Sequence, residues 1–91
     1  MPIPLFDLGR TVATPGALEE MAKLGLDAVT LLRRHITGDD SEMSAEDQEA
    51  NQMAIEHGGR VFSAYTYQGI RIWVITEHDR SSTTILLPCE Y

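Results

Sequence analysis

The spacing of apolar residues changes once along this chain. Up to about residue 57 they recur every three or four positions, and from Arg60 onward they alternate. Three helices followed by strands are therefore predicted. Pro2, Pro4 and Gly9 make the opening residues an irregular arm, in which Arg10 to Ala13 forms at most a short extended piece. Thr14 followed by Pro15 is a helix start, because a threonine side chain can accept from a free amide and a proline has none to satisfy; Gly25 is the matching stop. Asp27 opens a second helix, whose Ala28, Leu31, Leu32, His35 and Ile36 form one apolar stripe with Arg33 and Arg34 outside it. Ser44 with Asp47 resembles a capping box, opening a third helix to about Glu56. Its inward stripe is expected to be Ala50, Met53, Ala54 and His57, leaving Glu49, Gln52 and Glu56 in water; Gly58 and Gly59 end it.

In the alternating region Gln68-Gly69 is a two-residue hairpin turn, which pairs Tyr67 with Ile70, Tyr65 with Ile72, Ser63 with Val74 and Arg60 with Glu77. A second loop over residues 78–81 pairs Glu77 with Ser82, Ile75 with Thr84 and Trp73 with Leu86. The predicted fold is α+β: three helices, then a three-stranded antiparallel meander, with the helices on one sheet face. One domain spans residues 1–91, with an arm over 1–13, a helical part over 14–58 and the sheet over 60–88. Val61, Tyr65, Ile70, Ile72, Val74, Ile85 and Leu87 share the core face. The other face carries Phe62, Trp73, Ile75 and Leu86, too apolar to stay wet, so the arm or a second copy of the chain is expected to cover it. The outer strands leave an edge that a second subunit could extend, which makes a homodimer one expected assembly.

With 91 residues, 43% of them hydrophobic, the chain can build one core. Cys89 is the only cysteine, so no intramolecular disulfide forms, and no cofactor or metal is expected from the spacing of the cysteine and the three histidines. The chain opens without a secretory signal and has no run long enough to span a bilayer, which points to a cytoplasmic protein with no membrane role. The net charge of −7 comes from one stretch, where Asp39, Asp40, Glu42, Glu46, Asp47, Glu49 and Glu56 lie with no Lys or Arg between His35 and Arg60. Such a surface repels a phosphate backbone, so direct DNA binding is disfavoured.

Several strings have a familiar order. Gly9-Arg10-Thr11-Val12-Ala13-Thr14-Pro15-Gly16-Ala17-Leu18, Arg34-His35-Ile36-Thr37-Gly38-Asp39, Ser63-Ala64-Tyr65, Ile75-Thr76-Glu77, Asp79-Arg80-Ser81, Thr83-Thr84 and Leu87-Pro88 resemble a family of small bacterial proteins described as plasmid-related. The resemblance spans almost the whole chain and implies a mobile-element setting, with no activity attached. Where many relatives have Gly-Asp-Trp-Gly, this chain has Gly38-Asp39-Asp40-Ser41.

Two functional readings follow. In the first, a noncatalytic protein-binding module engages a partner through Asp39, Asp40, Glu42, Glu46, Glu49 and Glu56, blocking a host defence or regulatory protein. The mixed sheet face of Phe62, Trp73, Ile75 and Leu86 is its second candidate interface. In the alternative, Glu77, His78, Arg80, Thr83 and Arg60 cluster at one sheet end as the equipment of a metal-independent ribonuclease, by loose similarity to barnase, colicin and RelE-like folds. His35, on an apolar stripe, is expected to be a hydrogen-bonded core residue.

Overall fold

The computed structural model describes residues 3–91. Its order is β1 (Arg10–Ala13), α1 (Pro15–Leu24), α2 (Ala28–Ile36), α3 (Ala45–His57), β2 (Val61–Tyr67), β3 (Ile70–Thr76), β4 (Ser82–Leu86) and a 3-10 turn, Pro88–Glu90. The helix starts follow local chemistry. Thr14, Asp27 and Ser44 each accept from an amide in the first turn, at Ala17, Val29 and Asp47 respectively. Gln68 and Gly69 both have positive φ, 50° and 82°, the left-handed pair of a tight hairpin.

The expected three-stranded antiparallel meander is corrected here. The sheet has four strands in the order β1-β4-β3-β2 and is mixed, because β1 pairs parallel to β4 with Arg10 opposite Ser82 and Ala13 opposite Ile85. Residues 10–13 thus leave the arm and join the sheet. Gly9 makes the approach feasible: its φ is +64°, and a Cβ there would lie 2.3 Å from the Arg80 carbonyl oxygen. Strands β2, β3 and β4 are antiparallel, with Tyr65 opposite Ile72 and Trp73 opposite Leu86.

The core lies between one sheet face and two helices. Ala17 and Met21 of α1 and Leu31 of α2 pack on Tyr65, Ile72, Val74 and Ile85. A side chain of this size contributes about 1.5–3 kcal/mol when fully buried. The third helix adds no residue to that cluster, and its expected inward stripe is a second correction. Ala50 and Met53 are exposed, His57 is exposed, and Asn51 is the buried residue of α3. This helix lies along β2, where the Asn51 side chain accepts from the Phe62 amide at 2.9 Å and donates to the Phe62 carbonyl. Glu42 accepts from the Thr66 amide at 2.9 Å, farther along the strand. Side chains therefore occupy the outer edge of β2, which the sequence reading leaves open.

On the opposite sheet face the cover comes from the C-terminal residues rather than from the arm. Residues 88–91 fold over it: Tyr91 meets the Trp73 ring edge-on at 5.7 Å, and Phe62 meets Trp73 at 4.9 Å. Glu90 holds this segment by accepting from the Gly16 amide at 3.1 Å, from the Leu87 amide at 2.9 Å and from the Thr14 hydroxyl. It sits at the positive end of α1, and the Thr14 hydrogen bond leads the causes that lower its pKa. Among the described residues no helix is long and apolar enough to cross a membrane.

Candidate functional site

A cleft of about 630 Å³ opens where the arm, the C-terminal end of α2, α3 and β2 meet. Leu5, Ile55 and Val61 supply apolar wall, while His35, Asn51 and Ser63 bring polar groups to its lining. Asp40, Glu49 and Glu56 add carboxylates, and neither Lys nor Arg lines it. The arm is fixed here by the Leu5 amide, which donates to the Ile36 carbonyl at 2.8 Å.

The floor is a chain of side-chain hydrogen bonds. His35 Nδ1 lies 2.6 Å from Ser63 Oγ and its Nε2 lies 2.8 Å from Thr76 Oγ1. Thr76 Oγ1 is 2.7 Å from Thr83 Oγ1, which donates to the Leu8 carbonyl at 2.7 Å. That carbonyl can only accept, and this sets every proton upstream. Thr83 gives its proton to Leu8, so Thr76 must donate to Thr83, and His35 Nε2–H must donate to Thr76. Nδ1 is left as an acceptor for the Ser63 hydroxyl. The imidazole is neutral and satisfied at both nitrogens. Burial, then the charge of Arg80, lowers its pKa to about 4. Ser63 beside His35 has the contact distance of a nucleophile and base, but an imidazole that resists protonation so strongly is a poor base near neutral pH.

The five residues of the ribonuclease reading do not form one cluster of free side chains. Arg60 and Glu77 pair at 3.5 Å on the solvent side of the sheet, where Arg60 also donates to the Tyr91 hydroxyl at 2.9 Å. Thr83 is fully buried on the helix side, inside the hydrogen-bond chain. His78 is exposed in the β3–β4 loop. Arg80 donates to the carbonyls of Ala54 at 2.9 Å, Glu77 at 3.1 Å and Gly59, so its guanidinium fastens the loop to the end of α3. Its φ of 60° is a left-handed conformation that these contacts hold in place.

The six acidic residues divide into two groups. Arg34 claims Asp39, with Nε to Oδ2 at 2.7 Å, and Glu42 at 3.2 Å. Its guanidinium also lies 4.1 Å over the Tyr65 ring and donates to the Tyr67 hydroxyl at 2.9 Å. The hydrogen bond from Arg34 is the main cause lowering the Asp39 pKa. Burial raises that of Tyr65 to about 12, and its hydroxyl donates to the Asp39 carbonyl at 2.6 Å. This cluster ties residues 39–42 to the sheet. Asp40, Glu46, Glu49 and Glu56 are different: among the described residues, no Lys or Arg forms an ion pair with them. Of these, Asp40, Glu49 and Glu56 line the cleft, and Glu46 is exposed near the start of α3.

Of the sheet-face residues, Ile75 and Leu86 are buried within the chain, and Phe62 and Trp73 are half-buried beside Tyr91. The sequence reading missed the Asn51 contact, the Ser63–His35–Thr76–Thr83 chain and the cleft above it. A signal existed for the second: Ser63, Thr76 and Thr83 are polar at positions whose alternation faces the core. Comparison with protein-family models, with curated proteins and with solved structures finds no match to this chain.

Proposed function

We propose that this chain is a noncatalytic protein-binding module whose acidic α3 docks a basic segment of a protein partner. The observation that carries the reading is the division among the carboxylates. Asp39 and Glu42 are spent on Arg34, whereas Asp40, Glu46, Glu49 and Glu56 have no Lys or Arg partner among the described residues, Glu56 lying only 3.8 Å from the neighbouring His57, and Asp40, Glu49 and Glu56 line a cleft. The core needs α3 little, since its cluster is built from α1, α2 and the sheet. An acidic face on such a helix can serve recognition without compromising packing. The resemblance to plasmid-related proteins suggests a mobile-element setting, in which occluding a host defence or regulatory protein is the corresponding role. The ribonuclease alternative has less support, because Arg80 and Thr83 already have internal partners.

The test is capture of a partner by the protein and by the Glu46→Lys, Glu49→Lys, Glu56→Lys triple variant. The native chain should retain a stoichiometric partner at low salt and release it at high salt. The variant should retain none while keeping its circular dichroism spectrum, since exposed substitutions typically change stability by about 0.5 kcal/mol or less each. Equal capture by both proteins removes the acidic face from the interface.

A further inference from the structure

We infer that the cleft is the anchor point of this docking surface: it takes one apolar side chain of a partner peptide, while basic residues flanking that side chain pair with the carboxylates around the cleft. This inference rests on the proposed binding role and specifies the chemistry of the partner. At about 630 Å³ the cleft falls within the size range of ligand sites, far larger than a packing defect. Its polar depth is already satisfied. Both nitrogens of His35 are hydrogen-bonded, Asn51 is engaged at the Phe62 main chain, and among the described residues no buried side-chain nitrogen or oxygen lacks a partner. A charged group pushed inward would lose water and find no opposite charge at the floor. Apolar surface is available instead: Leu5 remains 47% exposed and Ile55 is half-buried across the same space, with the buried Val61 also in the lining. The charges belong to Asp40, Glu49 and Glu56, with no opposing Lys or Arg in the lining, so a positively charged segment is the complementary partner. Depth selects an apolar group and the surrounding carboxylates select cations.

Two capped peptides separate the contributions: Lys-Lys-Leu-Lys-Lys and Lys-Lys-Ser-Lys-Lys, each titrated into the isotopically labelled full chain by NMR. Both peptides should bind in a salt-sensitive manner. The leucine peptide should bind about tenfold more tightly, the ratio expected when a leucine side chain leaves water. It should shift the resonances of Ile55, Val61 and Ser63, with those of Trp73 unmoved. Leu5→Ser and Ile55→Ser, made separately, should each reduce the leucine preference and leave binding of the serine peptide unchanged, which also shows that the fold persists. Equal affinities for the two peptides, or shifts confined to the outer side of α3, overturn the anchor while leaving the acidic docking surface standing. Failure of both peptides to bind overturns both. Tighter binding of free spermidine than of the leucine peptide also overturns the peptide assignment.

Discussion

His35 differs from the apolar residues of its stripe in fixing direction as well as burial, because its ring is hydrogen-bonded on both sides. Its ring joins α2 to β2 through Ser63 and to β3 through Thr76, with Phe6 of the arm edge-on at 5.1 Å. Since its pKa falls from an ordinary 6.5 to about 4, the unfolded chain binds more protons between those values. Stability is therefore full above about pH 6.5 and declines as pH falls towards 4, by up to about 3 kcal/mol from this group. Urea unfolding at about pH 7 and about pH 4.5 should show that decline. His35→Gln should lower stability at neutral pH and flatten the dependence; an unchanged slope would mean that other groups control it. Asn51 makes a simpler prediction. Asn51→Ala strips partners from the Phe62 amide and carbonyl and should cost about 1–3 kcal/mol, read from the unfolding midpoint. Asn51→Asp should also destabilise, because it restores the acceptor but sets a second oxygen against the carbonyl.

At the scale of elements, local chemistry carried well into structure where a residue meets only its own neighbours. Thr14, Asp27 and Ser44 cap their helices, and the Gln68-Gly69 turn brings β2 and β3 into the register that alternation implies. It carried poorly where an element is defined by something distant. Residues 10–13 have no periodicity to declare a strand; β4 makes them one. In the third helix the spacing of Ala50, Met53, Ala54 and His57 misleads, because its buried inward contact is an asparagine amide acting as a neighbouring strand would. The candidate site shares this division: its carboxylates were visible as a charge run, but the apolar cleft needs the arm beside α3. Residues 88–91 were equally hidden, being too short for a pattern. Glu90→Ala should free them from Thr14 and Gly16, withdraw Tyr91 from Trp73 and shift tryptophan emission to the red. An unmoved spectrum would show that Tyr91 stays in place through Arg60 alone.

The whole molecule places its charge and its structural contacts on different elements. Positive groups with structural duties, Arg34, Arg60 and Arg80, each hold parts of the chain together through Asp39, Glu77 or main-chain carbonyls. Asp40, Glu49 and Glu56, which no Lys or Arg pairs among the described residues, gather beside a cleft at one side of the core. Raising salt should consequently weaken association far more than folding, and parallel capture and unfolding measurements across one salt series would test that separation. The parallel pairing of β1 with β4 has another consequence, in time rather than space. A strand made early by the ribosome has no partner until synthesis passes Leu86, so the sheet cannot close in stages from its N-terminal side. Shorter nascent chains can pair β2 with β3 but leave β1 without its neighbour, so the fourth strand joins only after β4 has been made.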